Sequence, residues 1–429
     1  MYVRRLTIKN VRSIETFDFR LKPEETVGWH VVLGANGSGK SSVVRSLALV
    51  LAGPKEAAAL RQSWSTWQRN GSSESSIHLH FFPDSEDIFT DRGARSKKDI
   101  EVGIDFRPIA SAIGGPRVEL GVPAGKQSAE RTIWGTNAGW FSASFGPFRR
   151  FTGGDQAFDR LFYSNPRLAS HLSAFGEDVA LTEGLRWLRD LRVKELEKNV
   201  DEAELLQELT SFLNNSDLLP HGAQIADVRS EEVVIVDAAG SRVIVEQMSD
   251  GYRSILSMIF EILRQMTKSY GIKTVIEGLQ RTPGVVQLPG VVAIDEVDAH
   301  LHPSWQKEIG PWFTRCFPRV QFIVTTHSPI ICRNATSVWR LPEPGSGESS
   351  SRIEGTALNR LIHGSILEAY GTEFFGRDVA ISEDSKKLIE EMARLNRKAL
   401  KAKLSSHDSK RLEELRGMLP THATDVASQ

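Results

Sequence analysis

One run of eight residues constrains the chain more than any other: Gly34-Ala35-Asn36-Gly37-Ser38-Gly39-Lys40-Ser41. It fits G-x-x-x-x-G-K-[ST] and stands where such a loop has to stand. The apolar run Trp29, His30, Val31, Val32, Leu33 precedes it, and the helical pattern Val43, Val44, Leu47, Leu49, Leu51 follows it. A buried strand, a glycine-rich turn and a helix in that order predict an α/β fold with the loop at the ligand edge of a sheet. The glycines let backbone N–H groups converge on phosphate oxygens, and the helix N-terminus adds partial positive charge. On this reading Gly34, Asn36, Gly37, Ser38, Gly39, Lys40, Ser41 and Ser42 hold the phosphates of ATP. Lys40 reaches the β- and γ-phosphates, and the Ser41 hydroxyl sits on Mg²⁺.

Three more segments carry chemistry. Val291 to Glu296 is an apolar strand that ends in two acids, Asp295 and Glu296. Asp295 suits the Mg²⁺ shell, and Glu296 is placed to act as general base on a water. Gln321 to Pro329 is a second apolar strand, ending in His327, which can bond a γ-phosphate or hold the attacking water. Met248-Ser249-Asp250-Gly251-Tyr252-Arg253 opens an apolar helix, and Ser249 and Gly251 can offer a hydroxyl and N–H groups to phosphate. Taken singly, each has a plain structural alternative: an acidic strand end, a strand-end histidine, a capped helix start. Their order along one chain, behind the phosphate loop, favours the chemical reading.

In that order the segments resemble the ABC ATPase superfamily, in the branch shared by SMC and RecF proteins. MSDGYR at 248–253 resembles the LSGGQ-type signature, with Asp250 and Tyr252 as departures. DEVDAHLHP at 295–303 resembles a Walker B plus D-loop run, with His302 where an aspartate is usual. His327 matches the switch histidine. The opening RRLTIKNVRSIETFDF resembles the N-terminal strand pair, which implies that Asn10 and Arg12 lie near the base or ribose. The resemblance implies an ABC-type head with a mixed sheet, Ser249 and Gly251 acting in trans, and two ATP molecules closing a dimer. It covers residues 1–50 and 230–340. For a Q-loop the candidate is Gln68, a ligand near Mg²⁺, with Arg69 beside it facing nucleotide or DNA; a plain surface turn is the alternative.

The rest of the chain is organised around those segments. The expected division is 1–84 and 231–341 as two parts of the head, 85–230 as an inserted, largely helical lobe, and 342–429 as a helical tail. Further strands are expected near Val3–Ile8, Phe17–Leu21, Ile77–Phe82, Ile100–Phe106, and in a pair around Ala238-Ala239-Gly240. Leu388, Met392, Leu395 and Ala399 are spaced for one helix face. The formal net charge of −1 argues against a surface coated in positive charge, though not against a local basic groove. Cys316 and Cys332 are too few for a disulfide framework and read as buried free thiols. With neither a signal-peptide pattern nor a membrane-length apolar run, the expected location is cytoplasmic, away from membranes.

SFGPFRRF at 144–151 and GSILEAYGTEFFGRD at 364–378 resemble the PtuA-like ATPases of Septu and retron anti-phage systems, which implies a separate HNH-type nuclease as partner. A nuclease site within the tail is not expected, since it carries no Asp-x-Asp. The alternatives are a RecF-like repair ATPase that clamps DNA and a transporter ATPase. The 209 positions between Lys40 and Ser249 fit an SMC-like insertion better than a transporter. In the 145–151 segment, Arg149 and Arg150 lie among Phe145, Phe148 and Phe151. The favoured reading is core aromatics with solvated or nucleotide-facing arginines, over a single-strand nucleic-acid surface.

Overall fold

The N-terminal alternation folds into β1 (Tyr2–Val11) and β2 (Ile14–Arg20). β4 (Ser75–Phe82), β5 (Ile100–Ile109) and β6 (Arg117–Gly121) extend them into an antiparallel sheet of order β2-β1-β4-β5-β6. A bulge between Val3 and Arg5 shifts the β1–β4 register, so both Val3 and Leu6 face inward and the alternation in the sequence is imperfect there. This computed structural model describes residues 1–60, 62–87, 99–109, 117–123, 129–134, 139–149, 161, 164–176, 181–219, 222–364, 383–401 and 404–418. Arg150, Phe151, Tyr370, Phe374 and Phe375 lie outside the described residues.

A second sheet holds the phosphate loop. β3 (Gly28–Leu33), β7 (Ser142–Phe145), β11 (Gly290–Ile294), β12 (Val320–Thr326), β13 (Ser337–Arg340) and β14 (Ser351–Ile353) run in the order β14-β13-β3-β12-β11-β7, with only β14 antiparallel. Every residue of β11 and β12 is buried, which is why both read as unbroken apolar runs. The helix behind the loop, α1 (Lys40–Ala52), is buried at all positions except Ser41 and Arg45. It packs between the two sheets, in one core with Leu6, Phe17 and Leu79 from one side and Val291 and Ile323 from the other. A helix apolar all round needs such a two-sided site. The result is an α/β fold with a mixed set of strands, as the ABC-type head predicts.

The 85–230 segment is helical in its later part: α2 (Thr182–Leu196) and α3 (Val200–Asn215) pack as a pair. Its earlier part supplies β5, β6 and β7 to the two head sheets, so the segment is not a lobe set apart. β7, Ser-Ala-Ser-Phe, is too short to carry a periodic signal. β8 (Gln224–Val228), β9 (Val233–Val236) and β10 (Arg242–Ile244) form a separate three-stranded meander with the expected turn, where Gly240 takes φ 82°. α4 (Asp250–Tyr270) follows, then α5 (Ile272–Gln280) and α6 (Pro303–Cys316). Cys316 and Cys332 are free and buried.

The expected tail boundary at 342 shifts. One compact unit runs Met1–His363 and the other Gly364–Gln429. Residues 342–363 belong to the first, because β14 pairs with β13 and Arg352 grips Glu25 with two hydrogen bonds of 2.9 Å. α7 (Gly355–His363) closes that unit with Leu361 buried. In the second unit α8 (Glu383–Lys401) and α9 (Ser406–Met418) form a hairpin around Leu395, Leu412 and Leu415, with Leu388 and Met392 beside them. The apolar face ends at Leu395, since Ala399 is exposed.

Candidate nucleotide-binding and catalytic site

Four parallel strands end side by side at one edge, and each delivers a chemical segment there. β3 delivers the phosphate loop, β12 delivers His327, β11 delivers Asp295 and Glu296, and β7 delivers residues 146–149. In the loop, Gly37 and Gly39 take φ 79° and 103°, which side chains resist. A Cβ on Gly34 would stand 2.4 Å from Ser38 Oγ. Lys40 is buried, and its Nζ donates to the carbonyls of Gly34 and Ala35 at 2.8 and 3.0 Å. Burial pulls the Lys40 ammonium below its ordinary range, while the charges of Glu296, Asp295 and Asp298 push it back up. The loop and the acids of β11 therefore face each other.

The acids are held from β12. The Thr325 hydroxyl donates to Asp295 at 2.6 Å and accepts the Glu296 N–H at 2.8 Å. The Thr326 hydroxyl donates to Asp298 at 2.5 Å, and Asp298 also lies 3.3 Å from His327 Nε2. Asp295 and Asp298 are buried, Glu296 is half-buried and His327 is exposed. Glu296 takes φ 46°, a left-handed conformation rare outside glycine, at the turn that aims its carboxyl group.

Ser249 is the N-cap of α4, and Gly251 lies so close to the next segment that a Cβ would stand 2.9 Å from the His300 carbonyl. Tyr252 accepts a 2.9 Å bond from Trp305 Nε1. Among the described residues no hydrogen bond or ion pair joins Ser249 or Gly251 to loop 34–41 of the same chain. His302 caps α6, accepting from Ser304 N. Asn10 and Arg12 take φ 52° and 50° at the β1–β2 turn. The same turn touches the phosphate loop, since a Cβ on Gly39 would stand 2.8 Å from Ser13 Oγ and from Ile14 Cγ1. Asn10 Nδ2 donates to the Glu74 carbonyl at 3.0 Å, and the Arg12 guanidinium lies 4.4 Å from the Trp67 ring centre. Burial, with Arg45 nearby, lowers Arg12 to about 10, so it stays a cation beside the loop.

Gln68 lies beside the β1–β2 turn. It sits in an isolated bridge opposite Val11, and its amide donates to the Phe106 carbonyl at 3.4 Å. The segment that abuts Asp295 and Glu296 is 146–149. Arg149, expected to be solvated or nucleotide-facing, is buried and hydrogen-bonded to the backbone of both acids. Phe145 is core, as expected, but Phe148 is 43% exposed.

The residues fit a nucleotide with its metal. Ser38 Oγ is buried with no hydrogen-bond partner, inside a cradle of glycines that any Cβ at Gly34 would fill. The Ser41 hydroxyl and the Asp295 carboxylate are hard oxygen donors of the kind Mg²⁺ takes, one or two from protein and the rest from phosphate and water. Among the described residues no cluster of three or more His, Cys, Asp or Glu side chains could hold a metal by itself.

Residues 30–333 match the family model described as "AAA domain, putative AbiEii toxin, Type IV TA system". The chain belongs to this AAA-domain family. The matched span of the AAA domain runs from β3 through the phosphate loop and the acids of β11 to the residues just past His327, and the head is an ATPase domain. Among curated proteins it is similar to the "Retron Ec83 probable ATPase" of Escherichia coli, 31% identical over 46% of this chain and 36% of that protein. It is also similar to the "Septu protein PtuA" of Bacillus mycoides (strain KBAB4), 23% identical over 77% of this chain and 39% of that protein. The chain thus spans under two-fifths of the length of these two relatives. Among solved structures it is similar to an SmcHead bound to the C-winged helix domain of ScpA, with a TM-score of 0.48 and 17% identity over 82% of this chain and 98% of that one. No helix among the described residues is long and apolar enough to cross a membrane.

Thr325, Asp298 and Arg149 were not singled out for these roles from the sequence. A signal existed for two of them. Thr325 and Thr326 are hydroxyls at the end of an apolar strand, and Asp298 is a third acid in the DEVD run. Arg149 stands in a basic–aromatic run, but nothing local marks it for burial on the two acids.

Proposed function

We propose that this AAA domain is an ATP-hydrolysing, dimeric switch that governs a separate HNH-type nuclease in cytoplasmic anti-phage defence. The observation that carries the ATPase part is the meeting of Lys40, Asp295, Glu296 and His327 at one sheet edge. Gly34 to Ser42 bind the triphosphate, and Arg12, in the turn that packs on the loop at Gly39, meets the nucleotide. Ser41 and Asp295 would hold Mg²⁺, which neutralises charge on the β- and γ-oxygens. Glu296 takes a proton from the attacking water as its oxygen bonds to the γ-phosphorus. The bond to the β–γ bridging oxygen breaks, and ADP and phosphate leave. His327, braced by Asp298, holds the γ-phosphate or the water.

Dimer action is supported by where Ser249 and Gly251 stand. Gly251 lies against the His300 carbonyl, and among the described residues neither it nor Ser249 bonds its own phosphate loop, so a second chain's γ-phosphate is the partner they suit. The defence role and the nuclease partner rest on the similarity to Septu and retron ATPases.

The test is Glu296→Gln. The variant should bind ATP as the native chain does, turn it over slower by on the order of 10²-fold or more, and accumulate an ATP-dependent dimer on a sizing column. Native turnover in this variant would remove Glu296 from the base role. A variant that stays monomeric with ATP bound would remove the dimer switch. For the defence role, the test is co-purification of the native chain with an HNH-type nuclease. Duplex binding by a chain that retains no such nuclease would sink that role and favour the DNA clamp.

A further inference from the structure

We propose that Arg149 is a positioning residue that fixes the backbone of Glu296 and ties it to the helix behind the Ser249 signature. This rests on Glu296 being the base.

Arg149 lies in the loop after β7 and is 4% exposed, yet among the described residues no carboxylate oxygen hydrogen-bonds to it. Its Nη1 donates to the carbonyls of Gly146 at 2.9 Å and Asp295 at 2.7 Å. Its Nη2 donates to the Glu296 carbonyl at 3.0 Å, and its Nε donates to Ser254 Oγ on α4 at 3.0 Å. Burying a guanidinium on three carbonyls and a hydroxyl is costly unless the arrangement does something. The charges of Asp295, Asp298 and Glu296 partly offset the burial and keep the group a cation, its ordinary value lowered to about 10.

The carbonyls it grips say what that is. Glu296 holds φ 46°. A side chain leaves a left-handed residue in a direction set by the two flanking peptide planes. One plane is pinned by the Glu296 N–H on Thr325 Oγ1 at 2.8 Å. The other is pinned by the Glu296 carbonyl, which accepts from Arg149 and from Ala299 N at 2.9 Å. Arg149 also holds the Asp295 carbonyl, so both acids move with it. Its fourth bond reaches Ser254, five positions along the chain from Ser249 at the start of α4. A shift of α4 as the signature engages a phosphate is thereby transmitted to the turn that aims Glu296. The chemistry is sensitive to such aim: a misplacement of about 1 Å costs on the order of 10²-fold in rate.

The experiment compares Arg149→Lys and Ser254→Ala in the full chain, each alone and combined with Glu296→Gln, at saturating ATP. Lysine keeps the charge but cannot span all four acceptors. Ser254→Ala leaves the three carbonyl bonds and cuts only the link to α4. Expected are nucleotide Kd values within about twofold of native, a kcat loss of on the order of 10²-fold for Arg149→Lys and a smaller loss, a few-fold, for Ser254→Ala. In the Glu296→Gln background neither change should lower the residual rate further, because the group being positioned is gone. Unchanged kcat in Ser254→Ala overturns the link, and additive losses in the double variants overturn the positioning of Glu296. If Arg149→Lys does not fold, Ser254→Ala and its double variant decide alone. Should Glu296→Gln itself retain native turnover, the base assignment fails instead, and the two failures are told apart.

Discussion

His327 Nε2 lies 3.3 Å from the Asp298 carboxylate, and Asp298 is itself buried and held by the Thr326 hydroxyl at 2.5 Å. An exposed imidazole is thus aimed by a carboxylate that cannot swing away. Asp298→Asn keeps the shape and removes the charge that orients the ring. Turnover should fall on the order of tenfold to 10²-fold with ATP affinity unchanged, and His327→Ala in the same background should add little. Steady-state kinetics of the single and double variants check this; fully additive losses would mean that the pair does not act as one unit.

Lys40→Ala should abolish ATP binding, because the loop loses its fixed cation on the β- and γ-phosphates. Ser249→Arg should leave ATP binding intact but block closure, since a bulky side chain fills the space an opposing γ-phosphate needs. Mixing the two inactive variants should restore one composite site per heterodimer, and ATPase activity should return in part. No recovery, with both chains folded and exchanging subunits, argues against action in trans.

His30 and His171 make stability depend on pH. His30 is buried between Ser337 Oγ at 2.9 Å and the Thr26 carbonyl at 3.2 Å, and burial lowers it to about 4. His171 lies between Ser142 and Ser144 of β7, and burial, then Arg167, lowers it to about 3. An unfolded histidine protonates near pH 6.5, so the unfolded chain binds protons that the folded chain does not. The stability is present above about pH 6.5 and is lost as pH falls, the loss ending near the folded values, with a limiting slope of about 1.4 kcal/mol per pH unit for each ring. Urea midpoints measured between about pH 7 and pH 4.5 should show it, and His30→Asn should flatten the slope even where it lowers stability at neutral pH. An unchanged slope in that variant would show that His30 is not the titrating group.

Truncation after His363 should leave a folded chain that binds ATP, because the compact unit ends there and β14 and α7 stay with it. We propose that residues 364–419 dock the nuclease partner, so a pull-down should lose that partner on truncation. Aggregation of the shortened chain would make the tail part of the core. Retention of both folding and partner would move the docking surface to the helices of 168–213.

The strands near 3–8, 17–21, 77–82 and 100–106 were legible because inward and outward residues alternate locally. The phosphate loop was legible because its glycines, lysine and serine are adjacent in sequence. Less of the site was legible where the decisive neighbour is remote. Gln68 is a Q-loop candidate or a plain surface turn by sequence, and its amide faces the Phe106 carbonyl. The loop that does abut the acids follows β7, a four-residue strand of mostly small side chains.

The sequence by itself determined the chemistry on offer and its order along the chain: a phosphate loop, a Ser-x-Gly helix start, an Asp-Glu strand end and a histidine strand end. Each of these is written in consecutive residues, so backbone conformation and side-chain type are specified together. Only the tertiary structure decided which strands lie next to one another, that β7 borders β11, and that residues 342–363 complete the head. It alone decided that Arg149, 146 positions away from Asp295 along the chain, is buried on that residue's carbonyl. The physical reason is that a buried cation is tolerated only where several acceptors converge, and here the acceptors come from three segments that only folding brings together.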